Sequence, residues 1–130
     1  SRLLHVLGQL ARLAIVVHLV ACGWYLCALM HIDHDATWVA RRVVRVDGEG
    51  LEVSLLERPP IEQWTHAVYF VLTVFTTVGF GDMSAVTTGE IVYVCFTMLV
   101  GAGVNSVIIS EVIGAVQQRD QETEYFEKQL

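Results

Sequence analysis

With 130 residues, 54% of them hydrophobic, and a mean hydropathy of +0.52, the chain is too apolar for an ordinary soluble domain, and a lipid bilayer is its expected surrounding. Its formal charge of -6 and eight scattered Lys and Arg residues exclude a nucleic-acid partner, which would need clustered cations. Neither a nucleophile–base pair nor a closed set of metal ligands stands out, so an enzyme is the weakest reading.

The first element expected in chain order is a transmembrane helix over residues 5–30. From Leu13 to Met30 there is no Asp, Glu, Lys or Arg, and with the turn from Val6 the run reaches the roughly 20 residues that a bilayer core requires. His18, inside this run, is expected to bond to a backbone carbonyl or a hydroxyl of a neighbouring helix rather than to sense protons. Cys22, Cys27 and Cys95 all lie in apolar runs and read as small buried hydrophobes rather than a disulfide framework.

Residues 31–60 are charged and turn-rich, and read as an extramembrane loop. Asp47-Gly48 is a hairpin turn between Val43-Val44 and Leu51 to Leu55, and Pro59-Pro60 ends the segment. His31, Asp33, His34 and Asp35 have the residue types of a zinc site, although exposed loops gather such residues by chance. Residues 61–76 follow with helical apolar spacing, including Trp64, Val68, Tyr69, Phe70, Leu72 and Phe75, in a segment too short to cross. A re-entrant helix is predicted there.

Thr76 to Asp82 breaks the helical pattern, with Gly79 and Gly81 alternating with Val78 and Phe80. Irregular backbone at membrane depth is tolerated only against protein or a watery cavity, because unmatched amides in hydrocarbon cost several kcal/mol. Such a strip repeated about an axis would form oxygen rings able to replace the hydration shell of a cation. A second spanning helix is expected over 89–116, because Ile91 to Ser110 is charge-free between Glu90 and Glu111. From 117 to 130 the sequence turns polar, as the helix enters water and begins a linker. Ser1-Arg2-Leu3-Leu4 lacks the features of a removed leader and the chain stops in mid-pattern, so a longer parent is expected.

Thr76-Thr77-Val78-Gly79-Phe80-Gly81-Asp82 resembles the signature of potassium channels, with Phe80 where a tyrosine is common. The resemblance implies an all-α membrane protein: outer helix, extracellular turret, pore helix, selectivity filter at 77–82 and inner helix. It also implies assembly as a homotetramer or as four repeats in the cell membrane, conducting K+ as its permeant ion with no cofactor. Thr77, Val78, Gly79 and Phe80 would hold the ion, with Gly81 completing the filter, the Thr77 hydroxyl closing its inner end, and the Val78 and Phe80 side chains packed behind it. Asp82 would support the filter from Trp64, Thr65 or Tyr69 as donors, or else form a ring of charge at the mouth. Loss of the phenolic hydroxyl at Phe80 implies a less rigid filter that inactivates faster.

His18-Leu19-Val20-Ala21-Cys22-Gly23-Trp24-Tyr25 and Ala67-Val68-Tyr69-Phe70 resemble the branch that includes ether-à-go-go, plant inward-rectifier and cyclic-nucleotide-gated channels, and the long charged loop is similar to the ether-à-go-go turret. Asp82 departs from the Asn found in some ether-à-go-go members. That branch implies a voltage sensor before this segment and a cyclic-nucleotide-binding domain after it. On the inner helix it assigns a hinge to Gly101, where close helix packing is the alternative. Asn105 is expected to face the pore, and Gly101, Asn105, Ile108, Ile109 and Val112 form one face, a gate or ordinary bundle packing. The competing functions are a poorly selective cation channel and a non-conducting subunit.

Overall fold

The computed structural model describes residues 2–46, 48 and 50–130. Its order is α1 (Arg2–Met30), α2 (Trp38–Arg41), β1 (Val43–Arg45), β2 (Glu52–Ser54), α3 (Pro60–Phe75) and α4 (Thr88–Gln129), with 3₁₀ turns at His34–Ala36 and Leu55–Glu57. Among the described residues two helices are long and apolar enough to cross a membrane, over Leu3–Met30 and Thr88–Gln129. Between them lies α3, whose 16 residues reach about 24 Å at 1.5 Å each and fall short of a hydrocarbon core of about 30 Å.

Each helix boundary has a local cause. Pro59 and Pro60 begin α3, where the missing amide hydrogen of a first-turn proline costs nothing. Thr87 caps α4 by accepting from the Glu90 amide at 3.3 Å. The change to polar sequence at 116/117 is not a structural break, for α4 runs through it as one 42-residue helix. Its Gln, Glu, Arg and Lys residues are good helix formers, so composition changes there without a stop signal.

The core is an aromatic junction at one end of the bundle. Trp24 of α1 is fully buried, with its ring 4.8 Å from Phe70 of α3, 5.1 Å from Trp38 of α2 and 6.1 Å from Tyr93 of α4. Pairs of this kind add about 0.5–1.5 kcal/mol each beyond area burial. Gly23 makes the approach of α1 and α4 possible, because a Cβ there would run into the Tyr93 hydroxyl, which donates to Val20 O at 2.7 Å.

The 31–60 segment is a folded cap. β1 and β2 pair antiparallel with Val44 opposite Val53, and Gly48, at φ +94°, lies in the connection. Asp47, the first residue of the expected turn, lies outside the described residues. Gln63 of α3 directs its side-chain amide at the carbonyls of Leu55, Leu56 and Arg58 at 3.1, 3.3 and 3.2 Å. Buried Glu90 accepts from Trp38 N at 2.8 Å and Val86 N at 3.1 Å, so one carboxylate ties the cap to the start of α4.

The reading of the cysteines as buried is corrected: Cys22 and Cys95 are exposed and Cys27 half-buried, all with free thiols. An apolar run sheltered by lipid needs no shelter from its own chain.

Candidate functional site

The strip after α3 starts by folding back on that helix. Thr76 closes the last turn, its amide donating to Leu72 O at 2.9 Å and its hydroxyl to the same carbonyl at 2.7 Å. Thr77 N donates to Val74 O at 3.2 Å and Gly79 N to Thr73 O at 3.1 Å, which anchors the inner half of the strip. Positive φ then recurs at alternate residues: Thr77 at +62°, Gly79 at +53° and Gly81 at +78°, while Val78 and Phe80 are not left-handed. In an ordinary strand successive carbonyls point to opposite sides. Reversing the handedness of every second residue turns them toward the same side, which builds a ladder of oxygens from a single strip.

Glycine takes this conformation freely at 79 and 81. Thr77 does not, and a left-handed threonine costs on the order of 1–3 kcal/mol. Residues 76–82 are all exposed in the single chain. Val78 and Phe80, whose side chains are expected to pack behind the strip, are 53% and 69% exposed, so one chain alone covers them only in part.

Asp82, at the far end, is held from two directions. Tyr69 donates its hydroxyl to Asp82 Oδ2 at 3.0 Å. Arg42, from the end of α2, donates through Nη1 to the Asp82 backbone carbonyl at 3.3 Å and stands 3.5 Å from Oδ2. Its Nε donates to His66 Nδ1 at 3.3 Å. Of the three expected donors to Asp82 only Tyr69 reaches it. Trp64 instead donates its indole N–H to His18 Nδ1 at 3.0 Å, and Thr65 bonds to Ile61 O at 2.7 Å within α3. Trp64 stands five residues before Tyr69, about 140° around α3, and Thr65 shares the tyrosine's face but lies one turn, about 6 Å, further from the strip. His18 therefore accepts from an indole rather than bonding to a carbonyl or hydroxyl.

At the other end of the strip, Asn105 of α4 donates to Phe75 O at 2.6 Å, satisfying a carbonyl in the last turn of α3. Gly101, one turn earlier, packs on the Phe75 ring so closely that a Cβ would lie 3.0 Å from Cδ1. Ile108 is half-buried, whereas Ile109 and Val112 are exposed.

The zinc-type reading of the first loop does not hold, since among the described residues no group of three or more His, Cys, Asp and Glu could hold a metal. Asp33 is occupied as a cap, with Oδ1 accepting from Asp35 N at 3.1 Å, and His31 Nδ1 accepts from Asp33 N at 3.2 Å. Arg42, His66, Gln63 and Glu90 were not singled out from sequence. Only Glu90 carried a signal, as the acidic residue three after Thr87 in a capping-box spacing.

The sequence model of the family described as Ion channel matches residues 35–118, more than half of the chain. The chain belongs to the ion-channel family. Its two long apolar helices and the shorter helix between them make up the family's pore module, and membership places it among channels rather than enzymes. Similar proteins include Potassium channel AKT1 of Arabidopsis thaliana, 31% identical over 110 residues, 85% of this chain. Potassium channel AKT2 of Oryza sativa subsp. japonica is 30% identical over 115 residues, 88% of the chain. Voltage-gated delayed rectifier potassium channel KCNH8 of Mus musculus is 28% identical over 116 residues, 84% of the chain. The chain spans only 12%, 12% and 10% of the length of these three. The two groups agree with the branch that the outer-helix and pore-helix residues resemble.

Proposed function

We propose that the chain, as four copies or four repeats about one axis, forms the conducting pore of a potassium-selective channel in the cell membrane. The observation that carries this reading is the left-handed backbone at 77, 79 and 81, exposed at the end of a half-membrane helix. Four such strips facing one axis stack rings of carbonyl oxygen from Thr77, Val78, Gly79 and Phe80, with the Thr77 hydroxyl below. A dehydrated potassium ion exchanges water for these oxygens, and repulsion between ions in neighbouring rings lets each one leave. The C-terminal end of α3, with its partial negative charge, favours a cation at the inner entrance. The relatives named as potassium channels support the choice of ion.

In this assembly α1 is the outer helix, 31–60 the extracellular turret, α3 the pore helix and α4 the inner helix running on into the cytoplasmic linker. Exposed Ile109 and Val112 supply an apolar constriction below the filter that closes by excluding water, whereas Gly101, buried on the Phe75 ring, and Asn105, bonded to Phe75 O, face α3 and Ile108 is half-buried. A voltage sensor and a cytoplasmic ligand-binding domain belong to the longer polypeptide.

The second reading is a poorly selective cation channel, favoured by the lack at Phe80 of any hydroxyl to fasten the filter. Reversal potentials of the reconstituted channel, with potassium on one side and sodium on the other, separate the two. Potassium selectivity moves the reversal toward the potassium equilibrium value, and poor selectivity leaves it near zero.

A further inference from the structure

We propose that Arg42 is a positioning residue of the filter, clamping the Asp82 end of the strip to α3 through His66. The inference rests on the channel function proposed above. Arg42 is well placed to hold something still, because its own backbone is held twice: its amide donates to Trp38 O at 3.0 Å and its carbonyl accepts from Leu55 N at 2.7 Å. From this fixed origin the guanidinium reaches two elements. Nη1 bonds to the Asp82 main-chain carbonyl at 3.3 Å, directly after the left-handed Gly81, and Nε bonds to His66 at 3.3 Å. His66 and Tyr69 lie three residues apart on one face of α3, so the helix grips Asp82 directly through the tyrosine and indirectly through the arginine.

A bare surface ion pair would matter little, typically about 0–1 kcal/mol. This contact differs in its target. Besides a carboxylate it holds a main-chain oxygen at the end of the strip that α3's backbone does not anchor, since among the described residues the backbone bonds from α3 stop at Gly79. A lysine could reach the carboxylate or the imidazole, but lacks the fork that reaches both at once.

The clamp has a condition. His66 accepts from Arg42 only while Nδ1 is unprotonated. Burial first, and then the neighbouring Arg42 charge, hold the imidazole below its ordinary pKa, against the opposing pull of Glu62 on α3 and Asp82 on the strip. At neutral pH it is thus neutral and the clamp is closed. As external pH falls through that depressed value, Nδ1 gains a proton, turns from acceptor to donor against a guanidinium, and the clamp opens.

The test uses the full-length polypeptide that carries this sequence, expressed in a membrane and recorded while external pH is lowered in steps from about 7.5 to about 4.5, from above an ordinary histidine to well below it. The parent is expected to lose sustained potassium current in acid. Arg42→Ala should inactivate several-fold faster at neutral pH and respond little to acid, Arg42→Lys should fall between, and His66→Gln should flatten the acid response. A potassium-selective parent whose Arg42→Ala channels keep its inactivation rate and pH profile overturns the clamp alone. Where Arg42→Ala fails to assemble, Arg42→Lys decides, and parental kinetics and pH profile in it overturn the clamp. A parent that passes sodium as readily as potassium overturns the channel reading, and the clamp with it.

Discussion

The side chain of Asn105, midway along α4, donates to the carbonyl of Phe75 at the last turn of α3, 2.6 Å away. This bond joins the long helix to the base of the left-handed strip. Gly101 one turn earlier lets the same two elements touch. Position 105 is thereby a mechanical link between α4 and the end of α3 from which the strip departs.

Asn105→Leu should remove that link and leave the carbonyl of buried Phe75 without this donor, at a cost of about 1–3 kcal/mol. The expected outcome is a lower thermal midpoint of the detergent-purified assembly, with Asn105→Gln less affected than Asn105→Leu. Circular dichroism melting curves of the three proteins check the order.

Gly79→Ala places a side chain where φ is +53°. The left-handed penalty of about 1–2 kcal/mol then favours turning that peptide, which takes a carbonyl out of the ladder. Potassium flux into vesicles should fall to background while tetramers still form, as native gel electrophoresis would report.

Gly23→Ala should drive α1 and α4 apart, because the new Cβ meets the Tyr93 hydroxyl. Overpacking of this type costs about 1–3 kcal/mol. Adding Tyr93→Phe removes the nearest atom in the way and leaves Cζ, 2.9 Å off, so the double variant should recover part of the loss and melt higher than Gly23→Ala alone. A double variant no more stable than the single one would show that the hydroxyl is not the obstacle.

Phe80→Tyr adds a hydroxyl to a ring that is 69% exposed in the single chain. With a donor available to neighbouring elements, inactivation should slow relative to the parent in patch recordings. Tyr69→Phe should act the other way, since it deletes the 3.0 Å bond to Asp82 and leaves Arg42 as the remaining support.

The long-range pattern of the molecule was legible because its determinants are local. Charge-free runs of sufficient length mark α1 and α4, a proline pair and a short apolar run mark α3, and alternating glycines mark the left-handed strip. What escaped were the bonds that join residues far apart in sequence: Arg42 to Asp82 and Trp38 to Glu90, which fasten the cap, and Trp64 to His18, which joins α3 to α1. No periodicity encodes such pairs. The choice among donors to Asp82 failed at Trp64 because three polar α3 residues qualify by chemistry; helix rotation separates Trp64 from Tyr69, and one turn of rise separates Thr65 from it. Burial of the cysteines was misjudged because sequence shows that a residue avoids water, without showing whether protein or lipid shelters it.

The most direct measurement is diffraction from the assembled protein grown with rubidium in place of potassium, with anomalous maps along the symmetry axis. Separate ion peaks are expected between successive oxygen layers of residues 77 to 80. An axis free of rubidium beside those residues, with the strips in place around it, would rule out the carbonyl ladder as the ion's path.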